Sequence, residues 1–420
     1  MAADFFINAL LIVSGYLVLA STVYYYTRNF IIPWVTIMML AGVIIILMPQ
    51  DIVHTEQLHS FVEHQLPEFI LLIFIPLLVF ESARTLKLSD LRKEIIPIGF
   101  LSIAGVIITL FLIGIGISII FGVPLIHALL FGAIVASTDT VAVAAIFKKF
   151  PIPNRLNLLM EWESMLNDAT ALISFSVISG IIFSGLAFSF INTSISFLWS
   201  IAGAVILGSA LGFIGGKVLN RWKGTEHVSF TLSLALIIGG YVIADHFIHV
   251  SGVVTIVLLA LVLIRIHKNL LSEMMQSFHL YWDYLGFMLN ALLFYLMGVS
   301  MAIYYLHLTE IWSWILIIIA PISIVMIARF VLIRGGDVIL RKVSVRIPPK
   351  WHNVLILGGL RGGICVALVL SLPTEYEYKA LFVTLVFSLI LVNLLLNPIL
   401  LSRYLKKSRL DLDSNTGEKS

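Results

Sequence analysis

The sequence predicts an all-α polytopic membrane protein with about 13 transmembrane helices. Of its 420 residues, 60% are hydrophobic and only 12% are charged, which is about half the charged fraction of an ordinary soluble domain. The mean hydropathy is +1.06. The apolar residues also fall into runs of roughly 20, the length that an α-helix needs to cross a bilayer. A soluble fold could not bury this much apolar surface, whereas a bilayer would cover it.

The apolar runs give the predicted helices in chain order. The first run starts after a stretch without any Lys or Arg, so it lacks the basic region of a secretory signal and is interpreted as a retained helix. The segments lie at 5–25, 30–48, 67–83, 95–121, 124–147, 158–184, 195–216, 227–245, 250–265, 280–304, 311–333, 351–372 and 380–402.

The distribution of basic residues predicts the orientation of the chain in the inner cell membrane. With the N-terminus outside, 23 of the 26 Lys and Arg residues fall in cytoplasmic loops or in the short tail at 403–420. These 23 include Arg84, after the third segment, and the outer loops hold only Lys379. Because positively charged loops stay on the cytoplasmic side, this asymmetry favours an external N-terminus and a cytoplasmic C-terminus.

The fifth segment carries an acid among hydroxyl groups, in the run Ser137-Thr138-Asp139-Thr140. A charged group inside a spanning helix costs roughly 2.5 to 3.5 kcal/mol, so it marks a functional site by default. One interpretation is a helix with a single acid that faces water. We favour a site for a hard cation, because such cations take oxygen ligands.

The sixth segment carries two polar stripes. Glu163 and Asn167 are spaced four residues apart and share one helix face, and Ser164 and Asp168 share the neighbouring face. These groups are too polar for packing residues at membrane depth. One stripe is expected to bind an ion while the other is held structurally.

Three further charged residues lie within or beside apolar segments. Arg329 either snorkels to the interface or pairs with a buried acid. Arg361 stands in a glycine-dense stretch, which predicts a broken membrane helix and not a phosphate loop, since no lysine and serine follow it. Glu81, near the end of the third segment, is either an ion-path residue or an interfacial one.

These motifs together resemble the monovalent cation:proton antiporter family, in its NhaP-like branch with the sodium–proton exchangers. The resemblance rests on Thr138-Asp139, Glu163-Ser164-x-x-Asn167-Asp168, Arg329 and Gly359-Leu360-Arg361-Gly362, which occur in order across nearly the whole chain. One departure is Thr140, which stands where the family usually has a proline that helps to break the fifth helix.

The resemblance implies an inverted-repeat fold in which the fifth and twelfth segments unwind and cross near the midplane. Residues 1–94 would supply dimerisation-domain helices 1–3 and 195–304 the linking and dimerisation helices 7–10. Residues 95–184 and 311–402 would form a core domain from helices 4–6 and 11–13. The protein would be a homodimer that serves pH homeostasis.

The resemblance also implies roles for individual residues. Asp168 would be the main carrier of cation and proton. Asp139, Ser164 and the Thr138 carbonyl would complete a Na⁺ site, with Glu81 helping through water. Glu163 would pair with Arg329, with Asn167 bonding beside them. Arg361 matches a family position of structural importance.

The implied activity is Na⁺/H⁺ exchange, extending to Li⁺, by alternating access. It would be one-for-one and electroneutral, because Asn167 stands where two-proton relatives have a second acid. A K⁺/H⁺ antiporter, a gated cation channel and an intramembrane hydrolase are the alternatives, although no enzyme is favoured. No cofactor is expected. The expected partners are monovalent cations, protons, membrane lipids and a second copy of the chain, without nucleic acid.

Overall fold

The computed structural model describes most of the chain. The described residues are 2–27, 30, 32–46, 61–84, 94–139, 143, 146–147, 149–150, 152–184, 190–222, 226–267, 272–305, 311–343 and 345–408. Thr140, most of the predicted outer loop at 49–65 and the tail after Ser408 lie outside them.

The described residues form helices joined by short connections, with no β-strand among them. Some of the helices include stretches of wider π-helical turns, at Phe61–Gln65, Ile70–Phe74, Phe100–Ala104 and Ile243–Ile248. In chain order the helices are α1 (Ala2–Thr27), α2 (Trp34–Ile46), α3 (61–83), α4 (Ile95–Phe121), α5 (Leu125–Ala136), α6 (Asn154–Ser184), α7 (Phe190–Trp222), α8 (226–248), α9 (Gly252–His267), α10 (Ser272–Tyr305), α11 (Ile311–Lys342), α12 (Pro349–Leu357), α13 (Gly363–Leu370) and α14 (Lys379–Ser408).

The all-α class predicted from composition is confirmed. Each of the 13 predicted segments overlaps a described helix, and the twelfth corresponds to α12 and α13 together. Within the described ranges, eight helices are long and apolar enough to cross a membrane, and three shorter apolar helices accompany them. The count of 13 crossings therefore stays a prediction, as does the division into core and dimerisation domains.

Several predicted segments were shorter than the helices, and the two largest shortfalls at a single end are in α11 and α10. α11 continues from the predicted end at 333 to Lys342, and α10 begins at Ser272 instead of 280. In both cases the apolar run stops at polar residues while the helix continues. Hydropathy marks the part of a helix that fits the hydrocarbon, and the backbone hydrogen bonds continue past it.

The helices next to the polar motifs pack around α5. α4, α6 and α13 contact α5, and α11 packs on α4. α5 is apolar along most of its length and contains no Asp, Glu, Lys or Arg. It is buried from Leu130 to Ala136. The polar residues that follow Ala136 therefore lie in the interior of this group of helices.

Both helices that were predicted to break are interrupted. α5 ends at Ala136, and Ser137 adopts an extended conformation with φ −62° and ψ 143°. α12 ends at Leu357, and helix resumes at Gly363 after an extended Gly362. The interruption in α5 starts before position 140, so the proline that Thr140 replaces is not required for it.

The two interrupted stretches, residues 137–139 after α5 and residues 358–362 between α12 and α13, contact each other. The backbone N–H of Asp139 donates to the carbonyl of Leu360 over 2.8 Å. Unwinding a membrane helix exposes backbone groups that must find partners, and here each stretch supplies a partner to the other. This contact brings the acid of the fifth segment beside the glycine-rich part of the twelfth.

Candidate functional site

The extended stretch after α5 is held by the polar face of α6. The Ser137 hydroxyl donates to Asp168 Oδ1, and the Ser164 hydroxyl donates to the Thr138 carbonyl, each over 2.6 Å. The Asn167 amide closes a pair with Thr138, since its Nδ2 donates to Oγ1 over 2.6 Å and its Oδ1 accepts from the backbone N–H over 3.2 Å. All three positions of α6 thus bond to residues 137 and 138.

These bonds bring together four of the predicted ligands. Asp168, Ser164 and the Thr138 carbonyl lie along one side of the extended stretch, and Asp139 lies within electrostatic range of Asp168. Both carboxyl groups are only half-buried. Two carboxylates, a hydroxyl and a backbone carbonyl form a set of hard oxygen donors, the ligands that Na⁺ takes.

Asp139 is confined by the glycine that opens α13. A Cβ built on Gly362 would overlap the Asp139 side chain, including its carboxylate. The backbone of Gly362, with φ −129° and ψ −157°, is allowed for any residue. The need for glycine is therefore steric: it leaves room for the Asp139 carboxylate at the point where the two interrupted stretches meet.

Replacing Gly362 with alanine should displace this carboxylate. We expect the apparent affinity for Na⁺ in transport assays to fall by about tenfold or more, which corresponds to about 1.4 kcal/mol of lost binding. Gly335→Ala is the matched control, because a Cβ at Gly335 meets no atom within 4 Å. Equal Na⁺ affinity in the two variants would contradict the steric role of Gly362.

The second stripe of α6 is held by a buried ion pair. Arg329 on α11 donates from Nη1 and Nη2 to the two carboxylate oxygens of Glu163, over 2.5 and 3.0 Å. Its Nε donates to the carbonyl of Leu355 in the last turn of α12. The side chains of Arg329 and Glu163 are 5% and 2% exposed, so the snorkelling interpretation of Arg329 was wrong. This one guanidinium links α6, α11 and α12.

Asn167 does not bond beside this ion pair as the resemblance implied. Its amide is used by Thr138, on the stretch that follows α5. The reason is geometric: a side chain four residues from Glu163 points to the same face but lies about 6 Å further along the helix, at the level of the extended stretch. Asn167 therefore bonds to the stretch that follows α5 and not to the Glu163–Arg329 pair.

Arg361 belongs to the interrupted stretch between α12 and α13 and is fully buried, at 0% exposure. None of its guanidinium nitrogens has a hydrogen-bond partner among the residues that the structure describes. It lies within electrostatic range of Glu163 and Arg329. Arg361 follows the last residue of α12 by four positions, so its positive charge lies after the end of the helix at which the dipole is negative.

A cluster at the end of α3 was not foreseen from the sequence. Arg84 was counted as a cytoplasmic loop residue, yet its side chain is 1% exposed. It donates to His279 Nδ1 over 2.5 Å and to Asp283 Oδ1, both on α10, and lies 3.6 Å from Glu81. Lys379, counted in an outer loop, is likewise buried, at the first residue of α14.

The structure also bears on the two interpretations of Glu81. Its side chain is 22% exposed and rests against α10, where a Cβ on Gly286 would come within 2.8 Å of Glu81 Cγ. It lies within electrostatic range of Asp139 as well as Arg84. This placement agrees with the ion-path interpretation, which stays a prediction. The i, i+3 spacing of Glu81 and Arg84 was the one signal in the sequence.

Comparisons with known proteins agree with this geometry. Residues 17–407 match the family described as sodium/hydrogen exchanger, transmembrane. The Na⁺/H⁺ antiporter NhaP of Pseudomonas aeruginosa is 35% identical over 340 residues, which cover 78% of this chain and 78% of that relative. The Na⁺/H⁺ antiporter ApNhaP of Aphanothece halophytica is 33% identical over 346 residues, which cover 81% of this chain and 65% of that relative.

A solved structure has the same fold. The sodium proton antiporter MjNhaP1 from Methanocaldococcus jannaschii aligns with a TM-score of 0.79 at 19% sequence identity, covering 96% of this chain and 99% of that one. The antiporter fold expected from the sequence, with two interrupted helices that meet, is thereby confirmed. From residue 17 to residue 407, this chain belongs to the sodium/hydrogen exchanger family of membrane transporters.

Proposed function

We propose that this protein exchanges Na⁺ for H⁺ across the cell membrane by alternating access, with Asp168 as the shared carrier. The observation that carries the proposal is the meeting of Asp168, Ser164 and Thr138 beside Asp139, at two interrupted helices inside a membrane protein. The names of the relatives support the same exchange. We also propose that the protein is a homodimer whose N-terminus is external and whose C-terminus is cytoplasmic.

Exchange requires a carboxylate that holds either a proton or a cation, and never both. Protonated or Na⁺-bound, Asp168 is formally neutral and can cross with the helices that carry it. Charged and empty, it would be costly to move through a low-dielectric region, which suppresses leak. Asp139, the Ser164 hydroxyl and the Thr138 carbonyl complete the ligands of the cation. No nucleotide is needed, because the gradient of one ion drives the other.

The charge count around Asp168 supports one-for-one exchange. Asn167 is neutral and is bonded to Thr138, and Glu163 is matched by Arg329. If Asp139 stays ionised beside the bound cation, Asp168 is the group that trades its proton. Each cycle then moves one positive charge in each direction.

Transport should therefore be insensitive to membrane voltage. Movement of one net charge through 100 mV is worth about 2.3 kcal/mol, enough to change a rate limited by that step several-fold. Proteoliposomes clamped with potassium and valinomycin, at fixed pH and sodium gradients, can measure this. A rate that rises steeply when the interior is made negative would show that net charge crosses, and would contradict one-for-one exchange.

The choice of cation needs its own experiment, because oxygen ligands alone do not select an ion by size. Purified protein in proteoliposomes with a proton gradient and a quenched pH dye should respond to added Na⁺ and Li⁺ by dequenching. Response to K⁺ alone would instead identify a K⁺/H⁺ antiporter. Cation flux without any proton movement would favour a channel, and either result would overturn the proposal.

A further inference from the structure

Four charged side chains lie in series from the proposed ion site to an exposed position on α10. Glu81 lies within electrostatic range of Asp139, and Arg84 lies 3.6 Å from Glu81. Arg84 also pairs with Asp283, whose side chain is 64% exposed. In order from the inside outwards, the series is Asp139, Glu81, Arg84 and Asp283. Under the predicted topology, the ends of α3 and α10 that carry it face the cytoplasm.

His279 fixes the charge of this series. Arginine can only donate hydrogen bonds, so His279 Nδ1 accepts from Arg84 Nη1 and cannot carry a proton there. The imidazole is therefore neutral while this bond exists. The outer three charged groups, Glu81, Arg84 and Asp283, then sum to one formal negative charge in their ionised forms. A single negative charge attracts a cation but leaves Glu81 partly compensated by a guanidinium.

We propose that Arg84, held by His279 and Asp283, is a positioning residue that sets the charge of the cytoplasmic approach to the ion site. This inference rests on the proposed function. With Arg84 in place, Glu81 attracts a passing cation without trapping it, because the guanidinium occupies the outer side of its carboxylate. Asp283 in turn keeps Arg84 from repelling cations. Burial of Arg84 makes the effect stronger than that of a surface charge, since water screens it less.

The proposal predicts opposite effects for two single substitutions. Asp283→Asn brings the formal charge of the outer three groups to zero, so the KM for cytoplasmic Na⁺ should rise by about three- to tenfold. Arg84→Gln makes it doubly negative, so KM should fall by a similar factor, with slower turnover because the cation leaves Glu81 more slowly. The double variant restores the original sum, so its KM should return close to that of the unchanged protein. The differences of the two single variants should shrink as ionic strength increases, because salt screens the attraction of a cation that approaches through solution.

Everted membrane vesicles are the right assay, because their cytoplasmic face meets the added Na⁺. Glu94→Gln is the matched control: Glu94 pairs with Arg155 on the same predicted side, but away from the series, and loses the same charge. Its KM should stay unchanged. A merely structural cluster would give losses in both single variants, in the same direction and insensitive to salt, and that result would overturn the proposal.

A second measurement separates this inference from the proposed function. Na⁺ bound to the native state raises the thermal unfolding temperature of the purified protein, so the midpoint concentration of that shift reports binding without transport. Midpoints that move in opposite directions in Asp283→Asn and Arg84→Gln would support the inference even if no exchange were seen. Normal exchange with unchanged KM values and midpoints would overturn the inference alone. If Arg84→Gln does not fold, Asp283→Asn against Glu94→Gln still decides the sign.

Discussion

Replacing Asp168 with asparagine should abolish Na⁺/H⁺ exchange while leaving the protein folded. The amide has nearly the shape of the protonated acid, and it can still accept the hydrogen bond that Ser137 donates to Oδ1. It cannot release a proton, however, and it offers a cation no negative charge. We expect the rate of Na⁺-dependent dequenching in proteoliposomes to fall to that of liposomes without protein, with an unfolding temperature close to that of the unchanged protein.

Glu161→Gln is the control for the loss of an acid on the same helix. Glu161 lies near the start of α6 and accepts a hydrogen bond from Asn157 in the preceding turn, away from the residues that follow α5. Exchange should persist in that variant. If purified, folded Asp168→Asn protein exchanged Na⁺ for H⁺ at the normal rate, Asp168 would not be the carrier.

Replacing Arg329 with alanine should destabilise the protein more than Asp168→Asn does. It leaves the Glu163 carboxylate buried without a partner, which typically costs about 3 to 5 kcal/mol of unfolding free energy. It also removes the donor to the Leu355 carbonyl, so α12 loses one of its hydrogen bonds to α11. The midpoint of thermal unfolding of the purified protein should therefore fall well below that of Asp168→Asn.

A double substitution tests whether Glu163 and Arg329 act as a pair. Changing Glu163 to Gln together with Arg329→Ala removes the orphaned charge, so part of the lost stability should return. Arg334→Ala, at an exposed arginine later on α11, should have little effect and serves as the control. Strictly additive losses for Glu163 and Arg329 would show that the two residues do not stabilise each other in the membrane.

The fold was predictable because its signals are local. Apolar runs separated by charged turns predict the helices. Four glycines around Arg361 predict, from the sequence alone, that the twelfth helix is interrupted there. The motif residues on α6 were predictable for the same reason, since positions four apart must share a helix face. The resemblance implied the pairing of Glu163 with Arg329. The physical reason for such a pair is that each buried charge needs an opposite one.

The remaining contacts depend on helices that are far apart in sequence. Arg84 precedes His279 and Asp283 by 195 and 199 residues, and apart from its i, i+3 spacing to Glu81 nothing near Arg84 in the sequence indicates this cluster. A basic residue just after an apolar run normally belongs to a cytoplasmic loop, so the charge pattern assigned it wrongly. The bond between Ser137 and Asp168 was equally hidden, because an interrupted helix no longer fixes the direction of its side chains by periodicity.

The central claim is that one carboxylate holds either a proton or a cation, and proton release on Na⁺ binding tests it most directly. Purified protein in weakly buffered detergent solution, with a pH indicator, receives Na⁺ near the pH at which half of the carriers are protonated. We predict that Na⁺ releases protons in proportion to the sites it occupies, that matched choline releases none, and that Asp168→Asn abolishes the release. Saturable Na⁺ binding without proton release, or release that persists in Asp168→Asn, would contradict the account.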